Sequence, residues 1–286
     1  MTADTAVETP SGKDAAYENF PVGSWLLPKA ARPHIAVFYR FARAIDDIAD
    51  NPELPSDEKI SRLEGFAAAL GGGGEEDTAY ATAHRMRRSL QDTEIPTRHC
   101  LDLIDAFKQD VVKNRYDDWP ELIGYCLRSA APVGRYLLDL HGGSRDGYGP
   151  SDALCNALQV INHLQDCRDD YLEMDRVYLP GDWMAEAGMQ VTALGAGASS
   201  PELRRVLDRC LDATEELMDE ARRLPAGLVS RRLAMESAAI ISIADRLIVR
   251  LRQGDPLASR IELSKAGYLF GCLRGAVPVA LGIMPA

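Results

Sequence analysis

Apolar and polar residues follow one another along this chain with a helical period. The clearest segment is 33–50, in which apolar side chains recur every three or four residues after an opening proline. Segment 56–70 opens with a serine and two acidic residues, as helix N-termini often do, and stops at a run of glycines. The pattern predicts helices at 33–50, 56–70, 97–114, 119–141, 151–174, 201–223, 230–254 and 261–273.

No segment shows the alternation of a β-hairpin or of a βαβ unit, and no repeat of fixed period is present. We therefore expect an all-α, single-domain bundle over residues 17–286, preceded by a loose tail over 1–16. The first residues lack the basic start and apolar run of a signal peptide. The C-terminal stretch 267–286 is apolar but contains Arg274 and Pro278, so we expect a closing helix that touches a bilayer surface rather than one that spans it.

Composition narrows the classes of function. The 286 residues are 46% hydrophobic, which is enough for a sizeable core. The formal net charge of −11 argues against a nucleic-acid-binding protein, because such a protein needs a basic surface. No two of the six cysteines are spaced as CxxC, and we expect them to be small core residues in a reducing compartment.

Two groups of acidic residues are the strongest chemical signals. Asp46 and Asp50 are one helical turn apart, so both carboxylates lie on the same face of the helix. Taken alone, this pair (the first acidic motif) would be an ordinary exposed helix end. Asn162, Asp166 and Asp170 (the second acidic motif) follow the same spacing in an otherwise apolar helix. Burying such a row is costly without a compensating charge.

Oxygen ligands of this kind suit Mg²⁺, which takes one or two carboxylates and also binds substrate phosphates. Two acidic stripes that face each other across a bundle can hold Mg²⁺ ions that bridge to a diphosphate. The sequence therefore predicts a magnesium site at Asp46, Asp50, Asn162, Asp166 and Asp170.

On these motifs the chain resembles the squalene/phytoene synthase family, which carries DxxxD on an early helix and NxxxDxxxD on a later one. The segment RVYLP (176–180) follows the second motif as in that family, and the resemblance runs from about residue 17 to about residue 274. It implies an isoprenoid-synthase helical bundle with a central cavity. It also implies that Asp46, Asp50, Asp166 and Asp170 are catalytic.

Further segments, 18–28, 105–119, 125–138 and 162–180, resemble the hydroxysqualene synthase branch of bacterial hopanoid pathways. That branch ionises presqualene diphosphate and lets water quench the carbocation, without NADPH. Many relatives have arginine where this chain has Gln165, and a flexible flap where this chain has Pro132. Both departures resemble the hydrating branch. The substrate-binding residues that the resemblance implies are Phe20, Tyr39, Arg43, Gln165, Arg176 and Tyr178.

Other interpretations stay open at this point. Within the family, the chain could be a head-to-head prenyltransferase that condenses two farnesyl or geranylgeranyl diphosphates. A different functional class is also possible in principle: a helical assembly protein without activity. The presence of both acidic motifs in complete form argues against it. We expect a cytoplasmic protein whose partners are presqualene or farnesyl diphosphate, with peripheral membrane contact, contact with pathway enzymes and no nucleic acid. His163 points away from the face of Asn162 and Asp166, so we expect it to be a packing residue.

Overall fold

The computed structural model describes residues 7–8, 28–73 and 78–283. These residues form two compact units, the first ending at Lys113 and the second beginning at Asn114. Both units are built from helices, and the all-α fold class is confirmed. The single domain over 17–286 and the central cavity stay predictions. The tail over 1–16 lies outside the described residues except for Val7 and Glu8.

The first unit contains four α-helices within its described part: α1 (Arg32–Asp50), α2 (Ser56–Leu70), α3 (Ala81–Thr93) and α4 (Arg98–Val112). Helix α1 packs against the other three, and α2 packs against α3 and α4. The buried face of α1 carries Ile35, Phe38, Phe41, Ile45 and Ile48, whose spacing of three or four residues is the helical period. This packing fixes the direction in which the polar end of α1 points.

Helix α3 is a helix that the hydrophobic pattern did not predict. Its sequence, ATAHRMRRSLQDT, offers only Ala83, Met86 and Leu90 as buried apolar side chains. Its polar surface includes three arginines, so its periodicity is weak. The other helices of this unit match the predicted ones to within two residues at each end.

The second unit begins with the strand β1 (Arg115–Tyr116) and continues with α5 (Trp119–Ser129), α6 (Ala131–Leu140), α7 (Gly149–Gln165), α8 (Cys167–Met174) and β2 (Val177–Pro180). After β2 follow α9 (Gly181–Ala187), α10 (Pro201–Ala221), α11 (Leu224–Gly227), α12 (Arg231–Gln253) and α13 (Lys265–Ala280). Helix α7 packs against α5, α6, α10 and α12, while α13 packs along α12. Helix α7 is thus the element around which this unit is built.

Two predicted helices are interrupted. The helix expected over 119–141 is split at Ala130 into α5 and α6. Pro132 explains the break, because a proline has no N–H for the helix ladder and its ring clashes with the carbonyl one turn earlier. The helix expected over 151–174 is split at Asp166, where φ and ψ are −104° and 7°.

A short parallel pairing also departs from the purely helical expectation. Arg115 of β1 pairs with Val177 of β2, and Tyr116 pairs with Pro180. The two strands hold only a few residues, too few to show an alternating pattern in the sequence. This pairing fixes the segment after the second acidic motif against the start of the unit.

Candidate active site

In the first unit, the first acidic motif lies in the C-terminal half of α1, where Arg43 pairs with Asp46 and with its neighbour Asp47. Nη1 of Arg43 is 2.9 Å from Oδ2 of Asp46, and its Nη2 is 3.3 Å from Oδ1 of Asp47. Asp47 is buried, whereas Asp46 keeps about a quarter of its side chain exposed. Tyr39 lies one turn before Arg43 and is partly buried. The predicted residues Tyr39, Arg43, Asp46 and Asp50 therefore share one helix.

Negative charge is concentrated at this point of the first unit. Burial raises the pKa of the Asp46 carboxyl to about 8, and the charge of Asp50 acts in the same direction. Arg43 acts against this rise, while Asp47 and the buried Asp110 of α4 add to it. Arg43 therefore neutralises only part of the cluster. A cation bound here would favour the ionised form of Asp46, so the site suits a hard cation on electrostatic grounds.

Asp110 is a residue that sequence reasoning missed at this site. It lies on α4, sixty-four positions after Asp46, and its only sequence signal is an acidic residue on an apolar face. Its proximity arises from the packing of α4 against α1, which the pattern of either helix alone does not reveal.

In the second unit, the second acidic motif keeps its predicted register across the break in the helix. The backbone N–H of Asp166 donates to the carbonyl oxygen of Asn162 over 3.0 Å. The N–H of Asp170 in turn donates to the carbonyl oxygen of Asp166 over 2.8 Å. These bonds from residue i to i−4 continue the helical turn, so the three residues follow one another at a spacing of one turn. The interruption at Asp166 changes the local dihedral angles but keeps the connection.

Arg260 brings a positive charge to the second motif, and sequence reasoning missed it. Its guanidinium lies 3.4 Å from the carboxylate of Asp166 and is about half exposed. Arg260 belongs to the loop between α12 and α13, ninety-four positions from Asp166. An isolated arginine in a short polar loop carries no signal in the sequence, and only the fold places it here.

The same loop closes over a small pocket beside the second motif. The pocket has a volume of about 100 Å³. The side chain of Gln165 is buried, and its amide donates a hydrogen bond to the carbonyl oxygen of Ile261. Gln165 therefore anchors this loop, and its contact with a substrate phosphate stays a prediction. The pocket is lined by Gln165, Arg168, Asp169 and residues 256–260.

An aromatic cluster lies next to the second motif. The ring of Tyr178 stacks on the imidazole of His163, with centroids 3.7 Å apart and planes 12° apart. Tyr178 also stacks on Tyr116 and Tyr125, with centroids 5.7 Å apart in both cases. Burial lowers the pKa of His163 to about 3, and the charge of Arg176 contributes. His163 is therefore a neutral ring in a packed cluster, which confirms the packing role expected for it.

Arg176 and Phe20 complete the predicted set. Arg176 is buried, and its backbone N–H donates to the carbonyl oxygen of Asp170 over 3.0 Å. The residue is thereby fixed to the last member of the second motif. Phe20 lies outside the described residues.

Each acidic motif, taken within its own unit, offers donors that fit a magnesium ion sharing its coordination with a ligand. Within the described part of the chain, no three His, Cys, Asp or Glu side chains are gathered closely enough to form a metal cage. The first motif offers two carboxylates, and the second offers two carboxylates and one amide. Mg²⁺ is usually bound in this manner, through one or two carboxylates, waters and substrate phosphates.

Known proteins with similar sequences belong to one family. The sequence profile of the squalene/phytoene synthase family matches residues 14–266. The hydroxysqualene synthase of Rhodopseudomonas palustris is 42% identical over 276 residues, which cover 96% of this chain and 94% of that protein. The hydroxysqualene synthase of Sinorhizobium fredii is also 42% identical, over 86% of this chain and 84% of its own length.

A solved structure shares the fold. The crystal structure of squalene synthase HpnC from Alicyclobacillus acidocaldarius superposes with a TM-score of 0.72 at 31% sequence identity. The match covers 83% of this chain and 89% of the other. The helical architecture found here is therefore that of a known group of proteins.

Proposed function

The chain belongs to the squalene/phytoene synthase family of terpenoid enzymes, and we propose that it converts presqualene diphosphate and water to hydroxysqualene and diphosphate. The observation that carries this proposal is the similarity to two hydroxysqualene synthases over most of the length of the chain. The resemblance of residues 162–180 to the same branch supports it from the sequence. The hopanoid pathway is the setting that we propose for the reaction.

The proposed reaction begins with loss of the diphosphate group from a cyclopropylcarbinyl carbon. We propose that Asp46, Asp50, Asn162, Asp166 and Asp170 hold Mg²⁺ ions through their side-chain oxygens. When bound, Mg²⁺ supplies the positive charge that stabilises the leaving diphosphate. Arg43 and Arg260, each paired with an aspartate of a motif, provide further positive charge for the phosphate oxygens.

The hydrocarbon part of the substrate needs apolar and aromatic surroundings, because a carbocation is attracted to π faces and must be kept from random water. We propose Phe20, Tyr39 and Tyr178 for this role, with Gln165 and Arg176 close to the diphosphate. Tyr178 belongs to a buried stack with Tyr116, Tyr125 and His163. We propose that this stack supplies aromatic surface on that side of the site.

A second candidate is head-to-head condensation of two farnesyl or geranylgeranyl diphosphates. The observation in its favour is the structural similarity to a protein described as a squalene synthase. Gln165 brings no charge to the second motif, but Arg260 does. Charge near the second motif therefore does not separate the two reactions, and the products must decide.

The substrate and the product are lipids, so we propose that the protein works in the cytoplasm in peripheral contact with the membrane and with other enzymes of the pathway. No helix in the described ranges is long and apolar enough to cross a bilayer.

The decisive experiment offers presqualene diphosphate and farnesyl diphosphate separately, with Mg²⁺ and without NADPH, in ¹⁸O-labelled water. We expect presqualene diphosphate to yield an alcohol that carries one labelled oxygen per turnover. Rapid formation of presqualene diphosphate from farnesyl diphosphate would favour condensation. Squalene as the sole product after addition of NADPH would exclude the hydration reaction and leave the family assignment unchanged.

A further inference from the structure

Helix α13 exposes an unusually apolar face. Five large apolar side chains on α13 and at the residue that caps its C-terminus are between 43 and 68% exposed. At 100° per residue they fall within an arc of roughly 120° around the helix axis. Isolated exposed apolar residues are common, but a continuous row of this size marks an interaction surface. We call this row the outer face of α13: Leu269, Phe270, Leu273, Val277 and Leu281.

The opposite side of the helix carries a row of glycines and packs closely against α12. Gly267, Gly271 and Gly275 recur every fourth residue and face α12. A Cβ atom on Gly275 would lie 2.0 Å from the carbonyl oxygen of Ala238, so the two backbones are in direct contact there. The glycines allow α13 to lie flat against α12. The bulky apolar side chains are consequently left on the side that faces solvent.

Positive charges surround the outer face. Lys265 and Arg274 are the only charged residues between 263 and 286, and they lie on the two flanks of the arc. Helix α12 adds Arg246, whose guanidinium is 5.1 Å from the ring centre of Phe270, and Arg231, which donates to the carbonyl oxygen of Ala280 over 2.5 Å. Glu262 is the one acidic residue between 256 and 286. This local excess of cations contrasts with the net charge of −11 of the whole chain.

We propose that the outer face of α13 docks on an anionic lipid bilayer, with its apolar side chains below the headgroups and its cations among them. An amphipathic helix with basic residues beside its apolar face is the usual form of such an anchor. Lys265 and Arg274 on both flanks would oppose pairing with a second copy, since like charges would meet. The proposal rests on the proposed function in one respect, because a lipid substrate and product give the enzyme a reason to stay at the bilayer.

The test is flotation of the full chain with two kinds of vesicle. One is phosphatidylcholine alone, and the other is an equal mixture of phosphatidylcholine and phosphatidylglycerol. We expect the wild type to float with the mixed vesicles, and to do so less at high salt. The double variant Phe270→Ser/Leu273→Ser should bind on the order of 100-fold more weakly. The variant Arg274→Glu should lose about tenfold or more on the mixed vesicles alone.

Matched controls change similar residues elsewhere. Val112→Ser alters a strongly exposed apolar side chain on α4, and Arg85→Glu reverses an exposed charge on α3. Both should float as the wild type does, and circular dichroism should show the same helix content in all variants. A wild type that stays unbound on both vesicles would overturn the proposal. So would a wild-type dimer that the double variant converts to monomer without any change in flotation.

Turnover separates this proposal from the proposed function. Diphosphate release from detergent-dispersed presqualene diphosphate should be unchanged in the double variant, because the outer face is not part of the acidic site. Turnover without flotation would contradict the docking surface alone. Flotation without turnover of presqualene diphosphate would contradict the proposed function alone.

Discussion

At the scale of single residues, the two acidic motifs combine negative charge with partial burial. We expect Asp46→Asn and Asp166→Asn each to lower turnover by about 100-fold or more, because each removes a charged oxygen ligand. Asparagine has nearly the same shape, and at position 46 it also removes the repulsion from Asp50. Helix content should therefore stay at the wild-type value, and Tm should stay at or above it.

Diphosphate release and circular dichroism measure the two effects. Asp57→Asn, an exposed change in the first turn of α2, is the matched control and should keep full activity. A variant at position 46 or 166 that turns over at the wild-type rate would remove that position from the metal site.

Glu236 is a buried acidic residue on α12 outside the acidic motifs, and it makes stability depend on pH. Burial raises the pKa of its carboxyl from 4.5 to about 7. The folded state therefore holds a proton that the unfolded state has lost, so the free energy of unfolding falls as pH rises between about 4.5 and 7. At higher pH the cost is complete, on the order of 3 kcal/mol.

We expect Glu236→Gln to remove this cost. The variant should be more stable than the wild type above pH of about 7 and similar to it near pH 5, as read from Tm across that range. Equal differences in Tm at both ends of the range would show that the substitution acts through packing and not through the charge.

At the scale of elements, the sequence predicted the long amphipathic helices well, because a helix that buries one face must repeat its apolar residues with a helical period. It failed where the chain is interrupted for other reasons. Pro132 lies just after the break between α5 and α6, which divides one predicted helix in two. At Asp166, a local change of dihedral angles inside an apolar run divides another. Helix α3 was missed because few of its residues are apolar. The strands β1 and β2 are too short to leave a pattern.

The contact between α12 and α13 makes a test at this scale. We expect Gly275→Ala to destabilise the protein by about 1–3 kcal/mol, because its Cβ would meet the backbone of Ala238 and Ala239. Gly124→Ala in α5 is the control, since nothing lies within 4 Å of the added Cβ, and it should gain about 0.5–1 kcal/mol. Thermal unfolding of both variants measures the difference. Equal Tm values would contradict the close contact.

At the scale of the whole molecule, the family and the acidic motifs could be predicted from the sequence because their spacing is local. Arg260 and Asp110 could not, because their positions depend on how distant elements pack. The substrate-binding roles of Phe20, Tyr39, Gln165, Arg176 and Tyr178 stay predictions. Gln165 shows the difference. The sequence showed that it stands where many relatives have arginine, whereas only the structure shows that its amide donates to the loop that carries Arg260.

The oxygen ligands also predict how the molecule binds a cation. Because Mg²⁺ is usually bound through one or two carboxylates together with substrate phosphates, Mg²⁺ alone should have little effect on Tm. Inorganic diphosphate alone should also have little effect. Together they should raise Tm by about 5 °C at saturating concentration, because each completes the coordination of the other. The same shift with diphosphate in the presence of EDTA would show that the anion binds without the metal.

The unbroken run of hydrogen bonds from Asn162 through Asp166 to Asp170 bears on how this sequence can evolve. One residue inserted or deleted between these positions would rotate one carboxylate by about 100° relative to the others. Changes of chain length within this stretch should therefore be eliminated by selection. The exposed segment 196–198 carries no side chain whose direction must match that of another. Insertions and deletions should therefore accumulate there as the sequence diverges.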